Sequence, residues 1–333
     1  MGSVFLFREM PDFERLKPAP ANEPYRRWFY SRWGLENAVI TGKARNLEYT
    51  PWKQRLSIKV ARGGRERYFI DGRSIAVDDD SYLILNDNRV YASRFESNVE
   101  IESFSIFFRP GLAEEVYGAL SMAVERVLAD GGVEAPRPVE FAETLQPHDS
   151  VVTPALRYVQ YGVNAGVEDS DWYEEQFQFL LERMLAHHRR LTERILKLPA
   201  LKSATQREIH RRLARAVDLV HSSYDRGIGL AEMARAACLS KFHFLRLFTE
   251  LQGITPHAYL QRKRAMVASR LLENRKLTVS QVADRVGFQS RSTMARQLRR
   301  WSFDYSSAPT TDRSQATISI TGCCGETNPP SPR

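Results

Sequence analysis

The sequence predicts an α+β chain: an N-terminal β-barrel or jelly-roll with flanking helices, followed by an all-α domain built on a duplicated helical hairpin. Three observations carry this prediction. Short β-type runs separated by turns fill Ala38 to Phe108, and helical periods take over from Leu112. From Gln206 to Trp301, 19 Lys and Arg stand against 7 Asp and Glu, whereas the rest of the chain is net acidic. With 333 residues, two domains are expected, over 1–199 and 206–305, with a disordered, atypical tail at 306–333.

Each element has its local reason. The first 35 residues are rich in Pro and aromatics, with Trp28, Phe29 and Trp33 near their end and no clear period. The runs Leu56–Val60, Arg67–Ile70, Tyr82–Leu85 and Ile101–Phe108 are broken at Gly63-Gly64, Asp71-Gly72, Asp78-Asp79-Asp80 and Asn86-Asp87-Asn88. Asp-Gly between apolar runs is a strong hairpin signal, and evenly spaced strands without intervening helices suggest an antiparallel barrel or sandwich. Helices are expected at Leu112–Leu128, Thr153–Val163 and Asp171–Leu198, with a Gly/Pro-rich break at Gly131–Pro138. The last helix places Phe177, Leu180, Leu181, Met184, Leu185, His188, Leu191 and Ile195 on one stripe, suited to a second protomer or to covering the barrel. Pro199–Thr205 reads as a linker.

Composition narrows the function classes. Hydrophobic residues make up 43% of the chain, which rules out wholesale disorder. No apolar run approaches the length of a membrane span, and the Val4–Phe7 run is interrupted at once by Arg8 and Glu9. The expected location is therefore cytoplasmic, associated with the nucleoid. Three cysteines, Cys238 and Cys323-Cys324, give neither a disulfide framework nor a zinc-binding spacing. The chain's net charge of +8 comes from the 206–301 segment, where 19 basic residues stand against 7 acidic ones while the rest is net acidic, and this implies a polyanionic partner.

That segment holds an approximate duplication, Ile228–Phe248 and Leu277–Leu298. Each unit begins with a short helix whose apolar face carries Leu230, Met233, Ala234 and Ala237, or Val279, Val282, Ala283 and Val286. A small residue at the turn follows, Cys238 or Gly287, then an apolar plug, Leu239 or Phe288. Ser240 or Ser290 then caps a second helix, which buries Phe244 and Phe248, or Met294 and Leu298. This is the layout of a helix-turn-helix, whose second helix enters a major groove. Thr255-Pro256 starts a helix that runs on to Leu272 and would hold the two units about one DNA turn apart. Within it, Arg262-Lys263-Arg264 reads as a solvated, charged face.

Residues 206–301 resemble the C-terminal DNA-binding domain of AraC/XylS-type bacterial transcription regulators. The cues are Leu230-Ala-Glu-Met-Ala234, Leu239-Ser240, Arg246-Leu-Phe248, Gly253-Ile-Thr-Pro256, Tyr259, Arg264-Ala265, Val282-Ala283, Gly287-Phe288 and Ser292–Arg296. The β-rich part is similar, more weakly, to the cupin-like effector domain such regulators carry. The resemblance implies base contacts from Phe242, Leu245 and Arg246 in the first unit and from Arg291, Ser292, Ala295 and Arg296 in the second. Lys241 and His243 would lie near phosphates, and Ser240, Ser290 and Thr293 would donate hydrogen bonds to them. Arginines suit guanine O6/N7, whereas Phe242, Leu245 and Ala295 offer apolar contact, as to thymine methyls. Phe242 suits the core as well as the surface, and His243 an ordinary surface position as well as a phosphate contact. The implied partners are promoter DNA, a small-molecule effector, a second copy of the chain and, for an activator, RNA polymerase.

One stretch departs from the family pattern. After Leu298 the chain reads Arg-Arg-Trp-Ser-Phe-Asp-Tyr-Ser-Ser-Ala-Pro309, without the expected Gly and final helix, as a reading-frame change near Trp301 would produce. An enzymatic N-terminal domain finds no support: Ala38–Phe108 contains no histidine for a cupin metal site, and no Walker loop, G-x-S-x-G or dinucleotide fingerprint occurs. No cofactor, metal or catalytic residue is expected. Barrel interiors commonly take small molecules, and Trp33, Trp52, Arg55, Tyr68, Tyr82 and Tyr91 are the candidates to line this one, although packing explains their pattern equally well. A constitutive DNA binder, a metalloenzyme fused to a DNA anchor and a module that does not bind DNA stay open as alternatives.

Overall fold

Strand parity organises the N-terminal half. The computed structural model describes residues 4–95, 100–128, 139–196, 203–273 and 276–301. The Gly131–Pro138 break, most of the linker, the altered run after Trp301 and the 306–333 tail lie outside the described residues. The chain opens with β1 (Val4–Phe7), α1 (Phe13–Leu16) and α2 (Glu23–Arg32). Eight strands follow: β2 (Asn37–Ala44), β3 (Glu48–Gln54), β4 (Ser57–Arg62), β5 (Glu66–Ile70), β6 (Arg73–Val77), β7 (Ser81–Leu85), β8 (Arg89–Phe95) and β9 (Ile101–Phe107). The turn between β5 and β6 is Asp71-Gly72, both at positive φ (49° and 71°), the backbone that a two-residue hairpin demands.

The strands form two facing sheets rather than a closed ring. One has six strands in the order β1-β2-β9-β4-β7-β10, with β10 at Leu145–Pro147; the other has four in the order β3-β8-β5-β6. Pairing is antiparallel except for β1 with β2. The helices α3 (Leu112–Leu128), α4 (Thr153–Ala165) and α5 (Ser170–Leu196) follow the periods in the sequence closely. Residues Ile58 and Val60 of β4 and Phe104 and Ile106 of β9 point to these helices and pack with Leu156, Val159, Phe177, Leu181 and Met184. The stripe on α5 is thereby used within the chain: Phe177, Leu180, Leu181, Met184 and Leu185 are all buried against the sheet, so this part of it is no free dimerisation seam.

The C-terminal half consists of α6 (Ser203–Ser223), which starts inside the stretch read as linker, then α7 (Leu230–Ala236), α8 (Lys241–Gln252), α9 (Pro256–Glu273), α10 (Val279–Arg285) and α11 (Arg291–Arg300). Its core is continuous with that between the sheets, because α6 lies along β6 and contributes Leu213, Ala216, Val217 and Val220 to the same buried cluster.

Candidate nucleic-acid interface and effector cavity

Both helical hairpins take the form their sequences require. Ser240 accepts a hydrogen bond from the His243 backbone N–H (3.4 Å) and Ser290 one from that of Thr293 (3.2 Å), so each second helix starts on a side-chain cap. In α8, Phe244, Leu247, Phe248 and Leu251 are buried; in α11, Met294, Gln297 and Leu298 are. Close helix crossings fall at Ala234 and Ala283, each 1% exposed.

The opposite faces are open. On α8, Lys241, Phe242, His243, Leu245 and Arg246 are exposed. Phe242, at 79% exposure, is a surface residue and no part of the core. With the spacing i, i+3, i+4, i+7, Phe242, Leu245, Arg246 and Thr249 share one helix face and line a shallow depression. On α11, Arg291, Ser292 and Arg296 are exposed, while Thr293 and Ala295 are half-buried. Ser290 Oγ also donates to Thr293 Oγ1 (3.0 Å), which holds the hydroxyls of the first turn in place. The twelve side chains expected to meet DNA thus lie on or at the start of two helices, six in each unit, and all but Thr293 and Ala295 are exposed.

The charged run on α9 is not the solvated face its sequence suggests. Arg262 is exposed, but Lys263 and Arg264 are buried. Lys263 donates to Oδ2 of Asp78 (2.5 Å) and of Asp80 (2.8 Å), both in the turn between β6 and β7. Arg270, two turns further on, donates to Asp80 Oδ2 (2.5 Å) and pairs with Asp79 (3.3 Å). Burial alone would raise the Asp78 carboxyl, but the charge and hydrogen bond of Lys263, together with the other neighbouring cationic groups, outweigh it and hold that carboxyl below the usual range; Asp78 and Asp80 correspondingly overcome burial and raise Lys263. Next to them, burial and the Lys263 charge push the His221 imidazole down to about 3, so it is neutral where Nε2 meets Tyr259 Oη at 3.1 Å. Arg264 turns the other way and donates to the carbonyls of Tyr224 (2.7 Å) and Arg226 (2.6 Å) after α6. The helix joining the two hairpins is therefore gripped by the β-rich part on one side and by the first hairpin's own support on the other.

Between the sheets lies a cavity of about 50 Å³. Of the six residues proposed from sequence, Trp33, Trp52, Tyr68 and Tyr91 line it. Arg55 and Tyr82 are placed elsewhere. Arg55 stacks on Trp33 (4.7 Å) and donates to the Glu36 carbonyl (2.7 Å) outside the lining. Tyr82 shares the helix-facing side of β7 with Ile84 and donates its hydroxyl proton to Asp149 (2.7 Å). Sequence reasoning misses two charged lining residues, Lys59 and Glu66, which are 2% and 3% exposed. Among the described residues, no group of three or more His, Cys, Asp and Glu side chains is arranged to hold a metal, and no helix is long and apolar enough to cross a membrane.

A helix-turn-helix domain family model matches residues 233–310. A probable transcriptional regulator, LumQ of Photobacterium leiognathi, is 41% identical over 73 residues, 22% of this chain and 29% of that protein. The HTH-type transcriptional regulator AlkR of Acinetobacter baylyi is 29% identical over 108 residues, 32% of this chain and 35% of that one. The virulence regulon transcriptional activator VirF of Yersinia enterocolitica is 28% identical over 149 residues, 45% of this chain and 54% of that one. In each case the match spans less than two thirds of the relative's length.

Proposed function

We propose, from the premise that the C-terminal part of this chain is a helix-turn-helix domain of the AraC type, that the chain is a sequence-specific transcription regulator controlled by a small molecule. Promoter DNA is read by the exposed faces of α8 and α11, with Arg246, Arg291 and Arg296 as guanine readers and Phe242, Leu245 and Ala295 as apolar contacts. Ser292 adds a further base contact, and Lys241, His243, Ser240, Ser290 and Thr293 position the helices on the backbone. The protein acts as a dimer in the cytoplasm, and as an activator it would engage RNA polymerase. It is a regulator rather than an enzyme.

The observation that carries this reading is that two capped helices, each burying its anchors and exposing its readers, are braced by one continuous helix. That brace also supplies a route for control. The Asp78–Asp80 turn belongs to the sheets that enclose the cavity, and it holds Lys263 and Arg270 of α9. An effector that binds one arrangement of this contact more tightly than another shifts the freedom of the DNA-binding half by that difference in affinity.

The test is binding to operator DNA selected from random sequence, followed over a range of salt. A steep fall in affinity with salt is expected from the phosphate contacts, together with relaxed base preference in Arg246→Ala and Arg296→Ala. Binding that is flat with salt, or equal loss on every sequence in both variants, contradicts base readout by these arginines. A constitutive regulator, the second reading, would show no effector-induced change in operator affinity.

A further inference from the structure

Where two sheets pack face to face, the space between them is ordinarily filled by apolar side chains. Here its centre is polar. On β4 the positions facing the second sheet are Ser57, Lys59 and Ala61, while Ile58 and Val60 face the helices. Lys59 pairs in register with Ser105 of β9, and Ser103 and Ser105 both line the same cavity. Across the gap, Glu66 of β5 accepts a hydrogen bond from Ser103 Oγ (2.8 Å), so the two sheets are bridged by a carboxylate.

Burying a charge is costly unless it is paired. Among the described residues, the Lys59 ammonium makes no hydrogen bond and has no carboxylate within ion-pair distance; its contacts are the rings of Phe107 (3.6 Å) and Tyr91 (5.4 Å). Glu66 is the opposite charge in the same cavity, yet the two do not form an ion pair. Burial drives Lys59 well down and Glu66 up; the attraction between the two, and the hydroxyls of Ser103, Tyr68 and Ser93 around the Glu66 carboxylate, offset that cost only in part. Trp33, Trp52 and Tyr91 complete the wall, and aromatic rings attract cations. The cavity's 50 Å³ is room for a small solute.

We propose that this cavity binds a small zwitterion, of the size of a short amino acid or a betaine, with its carboxylate on Lys59 and its ammonium between Glu66 and the aromatic wall. A molecule carrying one charge would satisfy one of the buried groups and oppose the other. A ligand carrying both completes two half-made ion pairs at once. The proposal rests on the reading of the N-terminal half as an effector domain and names the effector's chemistry.

The experiment is thermal unfolding of the full chain with alanine and glycine betaine as zwitterions, propionate and ethylammonium as their singly charged counterparts, and glycerol as a neutral polyol. At a hundredfold excess over its Kd, a zwitterion is expected to raise Tm by about 5 °C or more, with no comparable shift from the other three. Lys59→Met and Glu66→Gln should each weaken the response at least about tenfold. The double variant exchanges two buried charges for neutral groups, so it should fold with a Tm no lower than the parent's and show no response. Absence of a shift with both zwitterions, an equal shift with propionate, ethylammonium or glycerol, or a full response in the double variant overturns the proposal. Operator binding is measured separately on the same samples. If it survives while the zwitterion fails, the DNA-binding reading stands and the ligand assignment alone is wrong.

Discussion

At the tight turn of the first helix-turn-helix unit sits Cys238, with φ +51°; at the corresponding turn of the second sits Gly287, with φ +80°. Both residues are in the left-handed region that a helix-to-helix turn of this kind requires, yet one carries a side chain and the other does not. The surroundings explain the difference. Cys238 is exposed, and its side chain projects into open space beside Arg215. A Cβ on Gly287 would lie 2.8 Å from the Asp225 carbonyl oxygen and 3.0 Å from the Arg264 guanidinium. The first turn is free at the surface, whereas the second is pressed onto the loop that follows α6 and onto α9. The second unit is thus seated through its turn on the support of the first hairpin and on α9. Their surfaces diverge as well. The first exposes Phe242 and Leu245 around a single arginine, while the second exposes Arg291, Arg296, Arg299 and Arg300. One frame thus carries an apolar exposed face and a cationic one.

The strongest way to break the comparison is to remove what the two units share. Lys263→Ala leaves Asp78 buried without its cation and Asp80 with Arg270 alone, and should cost about 3–5 kcal/mol in urea unfolding, with operator affinity weakened at both half-sites alike. Since the Asp78 carboxyl is held below its unfolded value, the contribution of this pair is present above the ordinary carboxylate range and is lost as pH falls through the lowered folded value. A variant whose stability is unchanged would show the interdomain contact to be dispensable.

Next in size, Gly287→Ala combines a left-handed backbone with a steric clash and should destabilise by about 3 kcal/mol. The mirror experiment, Cys238→Gly, should be neutral or stabilise by about 1 kcal/mol. Equal effects of the two at the same turn position would remove the distinction drawn between them. Smaller again is Ser290→Ala, which deletes the α11 cap and should cost about 1 kcal/mol of stability. Phe242→Ala should leave the unfolding transition where it is, because the ring is exposed, and weaken operator binding by about 1 kcal/mol. A drop in Tm for that variant would mean the ring packs within the protein.

How much of this is legible in the sequence depends on the range of the interactions involved. The two hairpins are readable because their determinants lie within a few residues of one another: small residues at the crossings, a serine before each second helix, apolar anchors at helical spacing. The Asp71-Gly72 turn is readable for the same reason. Lys263 reads as solvated because its partners Asp78 and Asp80 lie more than 180 residues away, and helical position alone cannot reveal them. Tyr82 falls on the wrong side of its strand because every residue from Ser81 to Leu85 is buried, so alternation gives no parity. Lys59 escapes notice within the run Leu56–Val60 because a lysine there reads as the solvent-facing half of an alternating strand; only the second sheet, laid across it, makes that face an interior. Of the barrel or sandwich expected from strand spacing, the structure takes the two-sheet form, since spacing fixes neighbours along the chain and not closure.

The central claim is that α8 and α11 address successive major grooves on one face of a duplex, braced by α9. Hydroxyl-radical footprinting of a selected operator tests it most directly, with the parent chain beside Arg246→Ala and Arg296→Ala. Two protected segments about 10 base pairs apart are predicted, the first weakened only by Arg246→Ala and the second only by Arg296→Ala. A single protected segment, or two variants that weaken the same bases, would contradict it.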